Sequence, residues 1–372
     1  MANPVTPADL VTSEPEAVSL GAIERQLTRP WQLGDAPPDE QSGRALMGNL
    51  VVVCRHEREE AEIAEDLVAI VSQYPSRVLV LVADAGNQTS EIKASVRLYG
   101  RRRGASWPVC GECVTIRAGG PAIPRLPSVV RAIVQGDLPS ALWWATPEAP
   151  PLAGELFVQL ADLVDQVIYD SFAWTDPLRQ LILTASRVGE NGRKVMSDLA
   201  WRRPKLWRRI IAQSLDPLLA PGALEAMSEV HIEHGPHALT QAWLLTGWLA
   251  FRLGWLPRGG KVLPGPEVSW SFQSAQGTPQ VEIRRRPEGE PDLQSIRIVT
   301  RVNARLVTFQ FTSPAPGRVN VFADGLSDRT AWLTGPVYTR GQLGARQLPD
   351  LARDRLFESS VALARTMAEA VL

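Results

Sequence analysis

Between residues 49 and 171 the sequence alternates short apolar runs with stretches of helical periodicity. NLVVVC (49–54) and RVLVLVAD (77–84) have the pattern of buried strands, and REEAEIAEDLVAIVSQ (58–73) between them repeats its apolar residues at helical spacing. A strand, a helix and a second strand within this distance form a βαβ unit, whose strands are parallel and whose connection is right-handed. The alternation therefore restricts this part of the chain to an α/β architecture.

The same pattern continues through four further strand-like segments and two helical ones. These are SVRLYGRRR (95–103), CVTIRA (113–118), PSVVRAIVQ (127–135, a helix), ALWWA (141–145), GELFVQLADLV (154–164, a helix) and QVIYDS (166–171). We therefore expect an α/β fold whose N-terminal part, residues 46–172, is a doubly wound, Rossmann-like, mostly parallel sheet.

The adjacent Trp143 and Trp144 support a sheet that is covered on both faces. Successive residues of a strand point to opposite faces, so the two rings cannot lie on the same side. An inner strand with helices on both faces can bury both rings. We expect core packing for the pair, with one ring lining a cleft as the alternative.

The remaining sequence divides into three regions of different composition, as expected for a chain of 372 residues. Residues 1–45 are rich in Pro, Ser, Asp and Glu, and we expect a loose segment with one short helix at 18–32. Residues 173–256 are predicted to form helices rich in basic residues and tryptophan. A glycine- and proline-rich flexible joint (254–267) then leads into alternating β-like runs and a final amphipathic helix, so residues 257–372 are predicted to form a C-terminal α+β domain.

The charge, the cysteine content and the N-terminal sequence predict a cytoplasmic protein. The net charge is -1, which argues against a general nucleic-acid binder. Three cysteines are too few for a disulfide framework. The N-terminus lacks the apolar core of a signal peptide. The apolar segment 238–256 contains Thr240, Gln241, Thr246 and Arg252, so we interpret it as a buried helix and not as a membrane span.

No cofactor, metal or catalytic site is predicted from the motifs. The turn after the first strand, Cys54-Arg55-His56-Glu57, lacks the glycines that let a backbone approach a pyrophosphate. His231, His234 and His237 are interrupted by Pro236, which disfavours a metal site.

Cys110 and Cys113 form a C-x-x-C pair that runs into a predicted strand. The thiol pKa of a redox dithiol is lowered at a helix N-terminus, so a catalytic pair is disfavoured here. Ordinary buried or loop cysteines and a reversible regulatory disulfide remain as the two interpretations.

The most unusual segment is VMSDLAWRRPKLWRRIIAQSLDP (195–217). Tryptophans alternate with basic residues here, and Pro204 is suited to the start of a helix near Lys205. One interpretation is a helix with a solvated basic face, and the other is a docking surface, because Arg and Trp dominate interface hot spots. The residues predicted to bind a partner are Asp198, Trp201, Arg202, Arg203, Trp207, Arg208 and Arg209.

Several of these segments together resemble the glucose-6-phosphate dehydrogenase assembly proteins, the OpcA family. The resemblance is carried by VSLGAIERQL with Trp31, NLVVVC, PSRVLVLVAD, LPSALWWA, DQVIYDS, SDLAWRRPKLWRRIIA, GWLAFRLGW and LARDRLFESSVALA. It implies a non-catalytic activator that binds glucose-6-phosphate dehydrogenase in the oxidative pentose phosphate pathway. It also implies that Asp198, Trp201, Arg202, Trp207 and Arg208, with Asp170 and Ser171, stand in family motifs, and that a dithiol protein could act on Cys110 and Cys113.

Two functions of other classes remain as alternatives. One is an enzyme that binds a sugar phosphate or a nucleotide at the C-terminal edge of the sheet, where Asp170 and Ser171 would line the cleft. The other is a nucleic-acid-binding protein that uses the basic segment.

Overall fold

A computed structural model describes residues 10–28, 46–101, 109–172, 174–188, 194–265, 267–326 and 329–371. Trp31, like most of the predicted loose segment, lies outside these residues. The described residues form two β-sheets, with helices packed on both faces of the first sheet and on one face of the second.

The first sheet has nine strands and contains the predicted parallel core. Six strands, in the order β6-β4-β3-β7-β8-β9, are parallel, which is the spatial order 3-2-1-4-5-6 of a doubly wound fold. Strands β5, β1 and β2 extend it in antiparallel fashion beyond β6. The strands are β1 Leu10–Thr12, β2 Glu16–Val18, β3 Gly48–Cys54, β4 Ser76–Asp84, β5 Ile92–Arg101, β6 Val109–Gly119, β7 Ser140–Trp144, β8 Gln166–Tyr169 and β9 Val195–Asp198.

Burial of the central strands confirms the α/β prediction. Every residue of β3 and of β7 is buried, as expected for inner strands with helices on both faces. Trp143 belongs to the apolar cluster on one face of the sheet and Trp144 to the cluster on the other face. Both rings are thus core residues, as the sequence pattern predicted.

Two predictions on the edges of this sheet are wrong. Residues 10–18 contain the short strands β1 and β2, both paired with β5, where a loose segment was expected. Residues 195–198 form β9, paired with β8, in a region predicted to be helical. Strands of three or four residues are too short to show alternation, and pairing with a neighbouring strand stabilises them here.

The second sheet has eight strands in the order β11-β12-β13-β10-β14-β15-β16-β17. All neighbours are antiparallel except β10 and β13. The strands are β10 Glu229–His234, β11 Leu256–Leu263, β12 Glu267–Gln273, β13 Gln280–Arg285, β14 Leu293–Val302, β15 Arg305–Ala315, β16 Arg318–Asp324 and β17 Arg329–Thr334.

Two of these strands correct the sequence analysis. Strand β10 lies within the region predicted to be helical, and β11 replaces the predicted flexible joint. Pro and Gly are tolerated in β11 because it is an edge strand, with only one side paired. Gly260 is required for packing, since a Cβ there would lie 2.8 Å from the Trp270 Nε1 atom. The domain boundaries at residues 173 and 257 stay a prediction. The region between them contributes β9 to the first sheet and β10 to the second.

The helices connect the two sheets into one packed body. Helix α9 lies against α11 beneath the second sheet, and α10 returns to the first sheet and packs on α3. The helices are α1 Ile23–Thr28, α2 Glu57–Glu62, α3 Ala64–Gln73, α4 Leu126–Ile133, α5 Glu155–Ala161, α6 Pro177–Ala185, α7 Leu199–Arg202, α8 Lys205–Ser214, α9 Leu239–Leu253, α10 Arg340–Gln347 and α11 Arg355–Glu369. None of the described helices is long and apolar enough to cross a membrane.

Gly247 allows the close approach of α9 and α11, and Gly247→Ala should destabilise the protein. A Cβ at this position would lie 2.3 Å from the backbone oxygen of Ser360, so the helices would have to move apart. We expect a loss of about 2 kcal/mol or more in the free energy of unfolding, although alanine is the better helix former by about 1 kcal/mol. Urea unfolding measures the loss. Gly21→Ala is the control, since no atom lies within 4 Å of a Cβ at that position, and equal stability of both variants would contradict the packing argument.

Candidate functional site

The crevice where the strand order reverses, between β3 and β7, is the place where doubly wound folds bind ligands. Here the chain's own side chains span it. The Arg55 guanidinium, in the turn after β3, donates to Glu59 Oε1 at 2.9 and 2.8 Å. It also pairs with Glu148 Oε1, beyond the end of β7, at 2.7 Å. An ion pair therefore connects the two sides of the crevice.

At the N-terminal end of α2, side chains of the protein likewise accept hydrogen bonds from the backbone N–H groups. The backbone N–H of Arg55 donates to Glu59 Oε2 at 2.7 Å, and the backbone N–H of Glu59 donates to Nδ1 of His56 at 3.3 Å. Glu59 itself is buried. In a dinucleotide-binding fold, amide donors at this place hold the pyrophosphate. In this chain a carboxylate and an imidazole take two of them.

Asp170 and Ser171, predicted to line a ligand cleft, lie after β8 and make internal contacts. The two guanidinium nitrogens of Arg203 donate to the two carboxylate oxygens of Asp170 at 2.6 and 2.7 Å. The Ser171 hydroxyl donates to Asp198 Oδ2 at 2.5 Å, and its N–H donates to Oδ1 at 3.0 Å. Together with the N–H of Ala200, which donates to the same Oδ1 at 2.9 Å, these bonds join the ends of β8 and β9 to the start of α7.

Asp198 is a fully buried carboxyl group at the centre of this joint. Burial, with a smaller contribution from the negative charge of Asp170, raises its pKa from 3.8 to about 7, although hydrogen bonds from Ser171 and Ala200 lower it. None of these three donors carries a charge, so the groups bonded directly to the carboxylate do not form a salt bridge with it.

Asp198→Asn should remove a pH-dependent loss of stability. Between about pH 4 and pH 7 the native state binds the Asp198 proton more tightly than the unfolded state, so the free energy of unfolding of the wild type falls as the pH rises. Asparagine keeps Oδ1 as an acceptor and does not ionise. We expect the variant to gain on the order of 2 kcal/mol relative to the wild type between pH 5 and pH 8. Urea unfolding of both proteins at these two pH values tests this, and a stability difference that does not change with pH would show that Asp198 titrates near its ordinary pKa.

The Arg/Trp segment predicted to bind a partner packs largely inward. Trp201 is 5% exposed and donates its indole N–H to Asp354 Oδ2 at 2.9 Å. The Arg208 guanidinium lies 3.7 Å from the centre of the Trp201 ring and donates to the Trp201 carbonyl at 2.8 Å. Burial lowers the pKa of Arg208 to about 10. Trp207 is 7% exposed. These side chains fasten α7 and α8 to the loop before α11.

The seven residues of the predicted partner-binding set thus lie together, but they differ in accessibility. Asp198, Trp201 and Trp207 are buried, while Arg202 donates to Gln347 and pairs with Asp350 at 2.7 Å. Arg209 is exposed. As a set for partner binding they remain a prediction, and the buried members could act only by holding the exposed ones in place.

Asp170 and Asp350, which pair with the adjacent residues Arg203 and Arg202, should contribute differently to the free energy of unfolding. Asp170 and Arg203 are 13% and 17% exposed, whereas Asp350 and Arg202 are 49% and 29% exposed. Asp170→Asn leaves the Arg203 charge largely desolvated, and we expect a loss of roughly 3 kcal/mol in the free energy of unfolding. The matched variant Asp350→Asn should lose less than about 1 kcal/mol, because water compensates Arg202. Denaturant unfolding compares them, and equal losses would contradict the different burial of the two pairs.

A groove of 1070 Å³ lies beside α8, between the two sheets. Its walls are α8, the turn between β15 and β16, residues 334–338 after β17, and the chain around α10. Lys205, Arg318 and Arg346 line it, and the sequence analysis did not assign them to a site. No local signal could have identified Arg318 or Arg346, since the fold alone brings them to α8.

Cys110 and Cys113 lie on one strand, β6, which does not support a disulfide between them. Residues three apart in a strand have Cα atoms about 10 Å apart, and a disulfide needs about 7 Å or less. Cys113 is buried, and burial raises the pKa of its thiol to about 11. The thiolate that would react in an exchange is therefore disfavoured at Cys113.

The three histidines of the H-x-x-H-x-x-H series have separate surroundings. His231 pairs with Glu229 and Glu282 on the outer face of the second sheet, whereas His234 is buried. His237 packs edge-on against Phe172. Within the described part of the chain, no group of three or more His, Cys, Asp or Glu side chains is placed to hold a metal ion.

Two models of one protein family match most of the chain. The first, described as the glucose-6-phosphate dehydrogenase subunit N-terminal domain of the OpcA family, matches residues 68–186. The second, the corresponding C-terminal domain, matches residues 194–361. An OxPP cycle protein OpcA from Nostoc punctiforme is 33% identical over 191 residues, which are 50% of this chain and 40% of that relative. A protein of the same name from Synechococcus elongatus is 25% identical over 310 residues, which are 79% of this chain and 68% of the relative.

Among solved structures, an oxidoreductase from Sinorhizobium meliloti has a similar fold. Its TM-score is 0.50 at 11% sequence identity, over 88% of this chain and 97% of that one. The likeness concerns the fold alone and agrees with the Rossmann-like sheet.

Proposed function

The chain belongs to the OpcA family of glucose-6-phosphate dehydrogenase assembly proteins, and from this premise we propose that it is a non-catalytic activator of glucose-6-phosphate dehydrogenase. In this proposal the protein binds the dehydrogenase, raises its activity in the oxidative pentose phosphate pathway and acts in the cytoplasm. The curated relative from Nostoc punctiforme is matched over 40% of its length, so the partner is part of the proposal.

The observation that carries the non-catalytic part is the state of the ligand crevice. Arg55 joins Glu59 on one side of the crevice to Glu148 on the other, and side chains accept hydrogen bonds from the backbone N–H of Arg55 and of Glu59 at the start of α2. A nucleotide would have to break this ion pair and displace a buried carboxylate. The occupied crevice therefore favours a binding role over hydride transfer for this chain.

Activation has a thermodynamic requirement that a binding protein can meet without chemistry of its own. An effector shifts an equilibrium only by the difference between its affinities for the two states of the target. We infer that this chain binds the active conformation or oligomer of the dehydrogenase more tightly than the inactive one. The rigid joint between β8, β9 and α7 supports this inference, because a preformed surface loses little entropy on binding.

Dehydrogenase activity in the presence of this protein tests the proposal. The rate of glucose-6-phosphate dehydrogenase from the same organism is measured against glucose 6-phosphate concentration, with increasing amounts of the chain. We expect a saturable rise in kcat/KM. The chain alone, with glucose 6-phosphate and either nicotinamide cofactor, should give no turnover.

Two results would contradict the proposal. Unchanged kinetics of the dehydrogenase under both reducing and oxidising conditions would remove the activator role. Turnover by the chain alone would favour the alternative of a sugar-phosphate or nucleotide enzyme.

A further inference from the structure

The groove beside α8 contains cations that the fold does not neutralise. Lys205, Arg209, Arg318 and Arg346 line it and are exposed. Among the described residues none of the four pairs with a carboxylate, although Arg318 bonds to Asn320 and Arg346 lies over the Tyr338 ring. Lys205 and Arg209, one helical turn apart, lie on the same face of α8.

Cations outnumber acidic residues among the residues that line the groove, where Glu290 is exposed and three other carboxylates are bonded to neighbouring groups. Asp350 pairs with Arg202, Asp354 accepts hydrogen bonds from the Trp201 indole and from the first turn of α11, and Asp292 accepts one from Gln241. The first turn of α8 has no acidic residue and no side-chain cap, so the helix dipole adds positive potential there. In a chain of net charge -1, this groove is a local positive region.

The size and the walls of the groove favour an extended segment over a small anion. Its volume is 1070 Å³, at the upper end of the range for small-molecule sites. Leu206, Pro336, Val337 and Tyr338 contribute apolar walls beside the cations, and Val337 is 62% exposed. A groove with both apolar and cationic walls complements a chain that carries both acidic and apolar residues.

We propose that this groove docks an acidic, extended segment of the partner dehydrogenase, with Lys205 and Arg209 contacting its carboxylates. The proposal rests on the proposed function and adds the location and the chemistry of the contact. Trp201, Arg203 and Arg208, whose side chains bond to other parts of the chain, then act as positioning residues, because they hold α8 against the rest of the fold.

Zero-length carbodiimide cross-linking of the complex tests the contact directly. The reagent condenses a lysine amine with a touching carboxylate, forming an amide bond with loss of water. The chain has four lysines, Lys93, Lys194, Lys205 and Lys261, so assignment by mass spectrometry is clear. We expect a cross-link from Lys205 to an Asp or Glu of the dehydrogenase. Lys205→Arg should retain the affinity, since the charge remains, and should lose the cross-link.

Charge reversal measures the contribution of the groove to affinity. Lys205→Glu combined with Arg209→Glu should raise the Kd for the dehydrogenase about tenfold or more, because two carboxylates would face the acidic segment. The matched control is Arg258→Glu combined with Lys261→Glu, two exposed cations on β11 at the opposite edge of the second sheet. The control should bind like the wild type. Circular dichroism and thermal unfolding establish that all variants are folded.

The possible results separate this inference from the proposed function. Binding that is unaffected by reversal of Lys205 and Arg209, or cross-links only through Lys93, Lys194 or Lys261, would overturn the groove contact and leave the activator role standing. Displacement of the dehydrogenase by inorganic phosphate at low millimolar concentration, together with phosphate binding that the reversed variant lacks, would make the groove a small-anion site instead. A wild-type chain that does not bind the dehydrogenase at all would remove both proposals.

Discussion

The joint at the carboxyl ends of β8 and β9 determines where α8 and the groove beside it lie. Asp198 ends β9, accepts hydrogen bonds from Ser171 after β8, and caps α7 through Ala200. Arg203 clamps Asp170 from the other end of α7. Because α7 is only four residues long, these bonds fix the direction in which α8 leaves the first sheet. The groove, the exposed cations of α8 and the contact with α11 all follow from that direction.

The two carboxyl groups of the joint, Asp170 and Asp198, are stabilised in different ways. The Asp170–Arg203 pair is bidentate, so each charge has a partner and the geometry is specific. Asp198 has no such partner and is surrounded by neutral donors, which is why burial raises its pKa. A hydrophobic residue would avoid this desolvation, but it could not accept three hydrogen bonds at once. The carboxyl group thus fixes the position of the surrounding backbone, although its own burial is unfavourable.

Local patterns predicted the centre of the fold and failed at its edges. The apolar runs of β3, β4 and β7 are long enough, or sufficiently buried on both faces, to be recognised without tertiary information. The four residues of β9 and the glycines of β11 carry no such signal, and only the neighbouring strand decides their conformation. The Arg/Trp segment was recognised as unusual for the same local reasons. Its orientation could not be predicted, because Trp201 bonds to Asp354 and Arg202 to Gln347, both far away in the sequence.

The two candidate regions of this chain differ in how their charges are paired. At the strand-order switch between β3 and β7, Arg55 and Glu148 satisfy one another, so little unpaired charge remains to attract a ligand. Beside α8 the opposite holds, since within the described residues Lys205 and Arg209 pair with no carboxylate, whereas Arg202 and Arg203 do. Side chains that neutralise each other stabilise the free protein, whereas charges left unpaired raise its affinity for a complementary partner. The distribution of paired and unpaired charges therefore moves the expected binding surface from the crevice of the first sheet to the groove between the sheets.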